Sequence, residues 1–506
     1  MREFRSIVIF ILLAGAAGAQ TAPPQSVPSS SRPITLPLSG RAGQSGGVAP
    51  VQSTVSGGVP SVNIINSTVQ VQGPYQGSVP SADAPGPPLS LSLDDAVKRG
   101  LQYNLGAVGL ANAVRQAQGM HTVERSTLLP NISGDLLLTD QQINLAALGF
   151  TGFPGIPTVV GPFHYFDLRA GAAQSVFDLT RLRNYRASRE NVHSTQLLAQ
   201  DARDLVTLAV VGGYLQVVAS SARVTSARAQ VATAQAAYQQ ALDRFNAGVA
   251  PRIDAIRTQV ELQTQQQRLT SVENDLAKLK INLGRLIGLP PGQDYSLSDA
   301  LPYAPLTDLR LDQALARAYA YRSDLKAADA QMHTAELARD AASAERYPSV
   351  QVSADYGVIG PSPQNSHGTF GVTGSVRFPI WQGGRIRGEV EQADAGLQQR
   401  RAEFQDLRGR IDAEVRSAFL DLTSAASQVT VAQSNRDLAG ETLTQARDRF
   451  AAGVADTLEV VQAQESVAAA EQDYISSLYA HNLAKASLAR AMGQADQNIK
   501  QFLGKP

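Results

Sequence analysis

The chain of 506 residues contains no cysteine. That excludes disulfides, zinc–thiolate and iron–sulfur ligation, and a cysteine nucleophile. It also removes the usual attachment point of a bacterial lipid anchor. Charge is scarce: 17% of residues are Asp, Glu, Lys or Arg, against about 25% in a typical soluble protein. The 44 basic and 44 acidic residues cancel, so there is no basic surplus for nucleic acid. No segment beyond the N-terminus holds 18 uninterrupted apolar residues; the nearest, 205–219, is shorter and contains Gln216. No spanning helix is therefore expected. There is no phosphate-binding Gly-Lys-Ser/Thr loop and no His-Glu-x-x-His, and the six histidines show no ligand spacing. An enzyme is not expected, nor a cofactor or resident metal.

What is present begins with a leader. Arg2 and Arg5 precede an apolar run, Ile7 to Leu13, and the small residues Ala17-Gly18-Ala19. This is an export signal over 1–19, cleaved after Ala19; its apolar core is too short to span a bilayer. Residues 20–88 are rich in Pro, Gly, Ser, Val and Gln and nearly free of charge. They read as a low-complexity extended arm, largely disordered, with a β-prone stretch at Val62–Val71.

The rest is one unit written twice. Leu91-Ser92-Leu93-Asp94-Asp95-Ala96 matches Leu309-Arg310-Leu311-Asp312-Gln313-Ala314 at an offset of 218. Arg244-Phe245-Asn246-Ala247-Gly248-Val249 matches Arg449-Phe450-Ala451-Ala452-Gly453-Val454 at an offset of 205. The predicted repeats are 89–290 and 309–494, joined by a linker over 291–308 and followed by a tail, 495–506. In each, a helix runs to Pro130 or Pro348. Two strands follow, then a long helix, a Gly-Val break and a return helix.

The strands are expected near 131–140, 163–176, 349–358 and 369–380. Val350, Val352, Ala354, Tyr356 and Val358 alternate with Gln351, Ser353, Asp355 and Gly357. Segments of about ten alternating residues mark outer-membrane β-barrel strands, and Phe163, Tyr165, Phe378 and Trp381 suit an interfacial girdle. A soluble sheet with one dry face is the competing reading. Four strands cannot close a membrane barrel, which needs about eight, so a barrel requires several chains. The long helices are expected over 181–247, 252–288, 385–452 and 456–492. The first would span roughly 100 Å, interrupted only at Gly212-Gly213.

These features together resemble the TolC-like outer membrane efflux protein family. The similarity rests on the tandem strand-strand-long-helix units, on Pro130 and Pro348, and on Pro379-Ile380-Trp381-Gln382-Gly383-Gly384-Arg385 at the strand-to-helix passage. The paired Arg-Phe-x-Ala-Gly-Val turns complete it; copy one lacks the Gly pair at its passage. The resemblance implies a mainly α fold with membrane β, in which a shared outer-membrane β-barrel continues into a periplasmic α-helical barrel. It implies a homotrimer in outer-membrane lipid, a passive exit duct for efflux or type I secretion. A periplasmic adaptor (membrane fusion) protein and an inner-membrane pump would dock below. A periplasmic coiled-coil adaptor, or a structural surface protein without a pore, is the alternative. Drugs, metal ions, oligosaccharides and proteins all stay open as cargo.

Three groups of residues could carry function. Ala247, Gly248, Val249, Ala452, Gly453 and Val454 would form the periplasmic tip, where the resemblance places adaptor docking; glycine there also serves the turn itself. Asp254 and Glu459 are equivalent, 205 residues apart. The resemblance makes acids near Glu459 an entrance ring that favours cations. Asp456-x-x-Glu459 also reads as a capping box. Asp167, Arg169, Asp355 and Arg377, on the polar strand faces, would point into the lumen.

Overall fold

The computed structural model describes residues 47–54, 65–149, 157–299, 303–305, 309–452, 454–455 and 457–503. The export signal expected at 1–19, and Gly453 and Asp456 at the second tip, lie outside the described residues.

The first described element is an antiparallel hairpin, β1 (Val48–Thr54) and β2 (Ile65–Val71), in register from Val48↔Val71 to Thr54↔Ile65. A 3-10 turn at Gly73–Gln76 then buries Tyr75. This part of the expected arm is thus ordered. A charge-poor segment need not be disordered where another surface covers its apolar side chains. Here that surface is a long helix: a Cβ on Gly212 would fall 2.4 Å from the Val69 Cγ2. Gly212 makes room for the hairpin and does not interrupt its helix.

Copy one contains β3 (Leu89–Leu91), α1 (Leu93–Tyr103), α2 (Leu105–Ser126), β4 (Asn131–Asn144), β5 (Val159–Phe177), α3 (Leu179–Asn246) and α4 (Arg252–Leu286). Strand β6 (Tyr295–Leu297) runs parallel to β3. Copy two contains α5 (Leu311–Tyr321), α6 (Ser323–Ala344), β7 (Ser349–Gly360), β8 (His367–Arg377), α7 (Arg385–Ala451) and α8 (Thr457–Ala491), and α9 (Ala495–Leu503) is the last element among the described residues. Most of the fold is helical, and corresponding helices match in length: 11 residues in α1 and α5, 22 in α2 and α6, 35 in α4 and α8. The helix expected to run unbroken to Pro130 is split at Asn104, whose side chain caps α2 by accepting from Gly106 N at 2.9 Å. Asp178 caps α3 in the same manner, through Arg181 N at 3.0 Å.

The main core lies halfway along α3. Val206, Val210 and Tyr214 meet Leu91, Leu283, Ile287, Leu488 and Met492 there. The apolar stretch 205–219 is therefore largely buried inside the fold, with α8 and the end of α4 against it.

One sheet holds four antiparallel strands in the order β4-β5-β7-β8. Its register aligns the apolar residues of all four. Leu136, Leu168 and Val358 stand in one row, and Ile132, Ala172, Ala354 and Val372 in another. This face is bare: Ile132, Leu138, Phe370 and Val372 are each more than 70% exposed. The opposite face carries Asp135, Arg169, Asp355, Ser353 and Thr373. Beyond β8, Phe378, Ile380 and Trp381 are exposed as well.

Candidate functional site

Helix α3 ends at a tight turn. Gly248 takes φ +75°, a region that favours glycine. Val249 N donates to Arg244 O at 3.0 Å and Gly248 N to Phe245 O at 2.9 Å, the pair of bonds that closes a Schellman motif. Pro251 then leads into α4. At the second turn Val454 N donates to Arg449 O at 3.0 Å, the same long bond. Ala247 and Ala452 are exposed, and so are Val249 at 74% and Val454 at 67%. A groove of about 590 Å³ beside the first turn is lined by Gln239, Asp243, Arg244, Ala247 and Val249.

The two turns are neighbours. The Arg244 guanidinium lies 4.4 Å from the centre of the Phe450 ring, and its Nη2 donates to Phe450 O at 3.3 Å. One arginine thereby bonds the ends of α3 and α7 through charge, ring face and carbonyl. Arg244, Arg449 and Phe450 belong to the repeated turn motif. Their pairing across copies carries no local sequence signal.

Both acids lie in the first turn of a return helix, and each has an arginine close by. Asp254 is 3.9 Å from Arg257, and Glu459 is 3.2 Å from Arg449. On the sheet, Arg169 donates from Nη2 to Asp167 at 3.1 Å and from Nη1 to Asp355. These three form one cluster across β5 and β7. Arg377, at the edge of β8, is exposed and stands apart from it.

Two buried charged groups had no sequence signal. Arg322 is 2% exposed and reaches Asp324 at 2.6 Å and Glu414 at 2.5 Å. Burial alone would raise the Asp324 pKa, but the Arg322 hydrogen bond and charge hold it below the ordinary carboxylate value. On α8, His481 and Lys485 are each 1% exposed. The His481 ring lies 4.9 Å from that of Tyr303, and Lys485 Nζ donates to Ala304 O. Burial, aided by the Lys485 charge, pulls His481 down to about 4, and burial pulls Lys485 down to about 8.

A family model described as Outer membrane efflux protein matches residues 109–289 and 313–494. The toluene efflux pump outer membrane protein TtgF of Pseudomonas putida is 24% identical over 400 residues, covering 76% of this chain and 80% of that protein. The pyoverdine export outer membrane protein OpmQ of Pseudomonas aeruginosa is 22% identical over 423 residues, covering 82% and 87%. The crystal structure of the Campylobacter jejuni CmeC outer membrane channel superposes with a TM-score of 0.71 at 14% identity, over 90% of this chain and 98% of that one.

Proposed function

Since the chain belongs to the outer membrane efflux protein family, we propose that three copies close one passive duct from the periplasm to the exterior. It is an outer membrane efflux channel component; the trimer, the barrel and the docking partners are the proposal. The observation that carries it is the four-stranded sheet, with one bare apolar face and edge strands β4 and β8. An open edge and an uncovered apolar face are liabilities in water. Both disappear when three sheets join edge to edge in lipid, because a closed barrel has no edges. The polar cluster of Asp167, Arg169 and Asp355 then faces a water-filled lumen. Below it, α3, α4, α7 and α8 form the wall of a periplasmic α-helical barrel, about 100 Å deep by the rise of α3.

The tips at Ala247–Val249 and Ala452–Val454 are the docking surface for a periplasmic adaptor, with the inner-membrane pump beyond it. The pump and adaptor choose the cargo. Planar-bilayer conductance of the detergent-purified protein tests the reading. Discrete conductance steps are expected. A folded protein that stays soluble without detergent and never conducts would overturn it.

A further inference from the structure

We propose that a crevice in the helical wall, between α3, α4 and α8, binds a small organic oxyanion, a carboxylate or phosphate group carried on an apolar body. The crevice has a volume of about 720 Å³, within the usual range for small-molecule sites. Arg223 of α3 and Arg268 and Lys278 of α4 line it, against one carboxylate, Asp275. In a chain whose charges cancel overall, this is a local surplus of positive charge. Val272 and Leu279 supply an apolar wall.

Arg223 is the centre of the argument. It is half-buried, and its Nη2 donates to Ser476 Oγ at 3.0 Å. Its Nε is closed off from solvent and has no hydrogen-bond partner among the described residues. No ion pair within 4 Å closes on Arg223, Arg268 or Lys278 among the described residues. The neighbouring turn shows the contrast. Arg228 takes Glu273 of α4 at 2.7 Å, so the same helix pair gives that arginine a carboxylate and leaves Arg223 without one. Burial, opposed only by the fields of Tyr479 and Asp275, lowers the Arg223 pKa. Arg223 Nη1 takes no hydrogen bond among the described residues and is not closed off from solvent, so the Nη edge of this half-buried guanidinium presents the fork that an oxyanion fills with two parallel bonds. Arg223 lies 23 residues before the end of α3. That is about 35 Å along the helix, so the site is separate from the tips.

Isothermal titration calorimetry on the full-length protein in detergent tests this, with benzoate and phenyl phosphate as separate probes. Saturable binding of either is expected, and the tighter one identifies the oxyanion. Arg223→Gln should weaken it about tenfold or more, and Arg223→Lys, which keeps the charge but loses the fork, by less. Arg228→Gln breaks only the neighbouring ion pair and should leave binding unchanged. If neither probe binds saturably at millimolar concentration, there is no such site. Binding that survives both Arg223 substitutions would also overturn the proposal. Thermal unfolding of each variant separates lost binding from lost folding.

Discussion

Asn104 and Arg322 hold the same place in the two copies, 218 residues apart, and each is bonded to the end of its own return helix. Asn104 Nδ2 donates to Leu286 O at 3.3 Å, and Arg322 Nη1 to Ala491 O at 3.5 Å. Each sits at the break between two helices, α1 and α2 or α5 and α6, and each is almost wholly buried. The carbonyls at a helix C-terminus have no partner within the helix, and these side chains supply one. The duplicated junction has kept its geometry while its chemistry diverged from an amide to a guanidinium.

That divergence predicts unequal costs. Asn104→Ala leaves the buried carbonyls of Tyr75 and Leu286 short of a donor, a loss of about 1–3 kcal/mol. Arg322→Met strips a buried charge from Asp324 and Glu414 and should cost about 3–5 kcal/mol. Chemical denaturation of the detergent-solubilised variants measures both. An Arg322→Met protein as stable as the parent would show that the buried ion group contributes nothing.

Much of this architecture was legible in the sequence, for physical reasons that also set the limit. The turn at Gly248 could be read because a reversed helix end needs positive φ and a glycine. The strand faces could be read because alternation has a period of two, although β4 alternates poorly and its apolar residues align only through the register. The break at Asn104 carries only the weak local mark of a capping asparagine, and the break at Arg322 carries none. Their bonds go to carbonyls that are remote along the chain. The strand at Ile65–Val71 was legible as a β-prone stretch, but its seat against Gly212 was not, because Val69 finds that partner far away in sequence. Arg244 and Phe450 were visible as a repeated motif but not as a pair.

His481 predicts an acid-sensitive stability. Its folded pKa lies near 4 and its ordinary value is 6.5, so the unfolded chain takes up a proton first as pH falls. The stabilisation is complete above pH 6.5 and is lost as pH falls towards 4. The loss should be on the order of 2–3 kcal/mol. Unfolding curves across that window should slope, and His481→Phe should flatten them. Equal slopes in the two proteins would assign the acid sensitivity to other groups.

The tip predicts a defect in docking without a defect in folding. Val249 and Val454 are exposed, so Val249→Asp and Val454→Asp should change stability by only about 0.5 kcal/mol. If adaptor docking uses the tips as proposed, a charge there should nevertheless weaken adaptor binding about tenfold or more. Affinity for the purified adaptor, measured beside the melting temperature, checks both halves. Full-strength binding by the double variant would place docking elsewhere.

The Arg449–Glu459 pair sharpens the prediction for ion selectivity. In the proposed trimer three copies of this pair would stand at the periplasmic entrance, where a ring of charge would set the local potential. Because Glu459 stands 3.2 Å from Arg449, the two charges partly cancel. Glu459→Gln removes the negative member and leaves the positive one, so the entrance should move from cation preference towards anion preference. Arg449→Gln should do the reverse and strengthen the cation preference. The double variant removes both charges and should lie between the two. Reversal potentials under a potassium chloride gradient read all three, and low salt enlarges the differences because screening is weaker. Opposite shifts from the two single variants are the required result. Shifts of the same sign, or none, would show that the pair only holds the tip turn together and does not govern what enters.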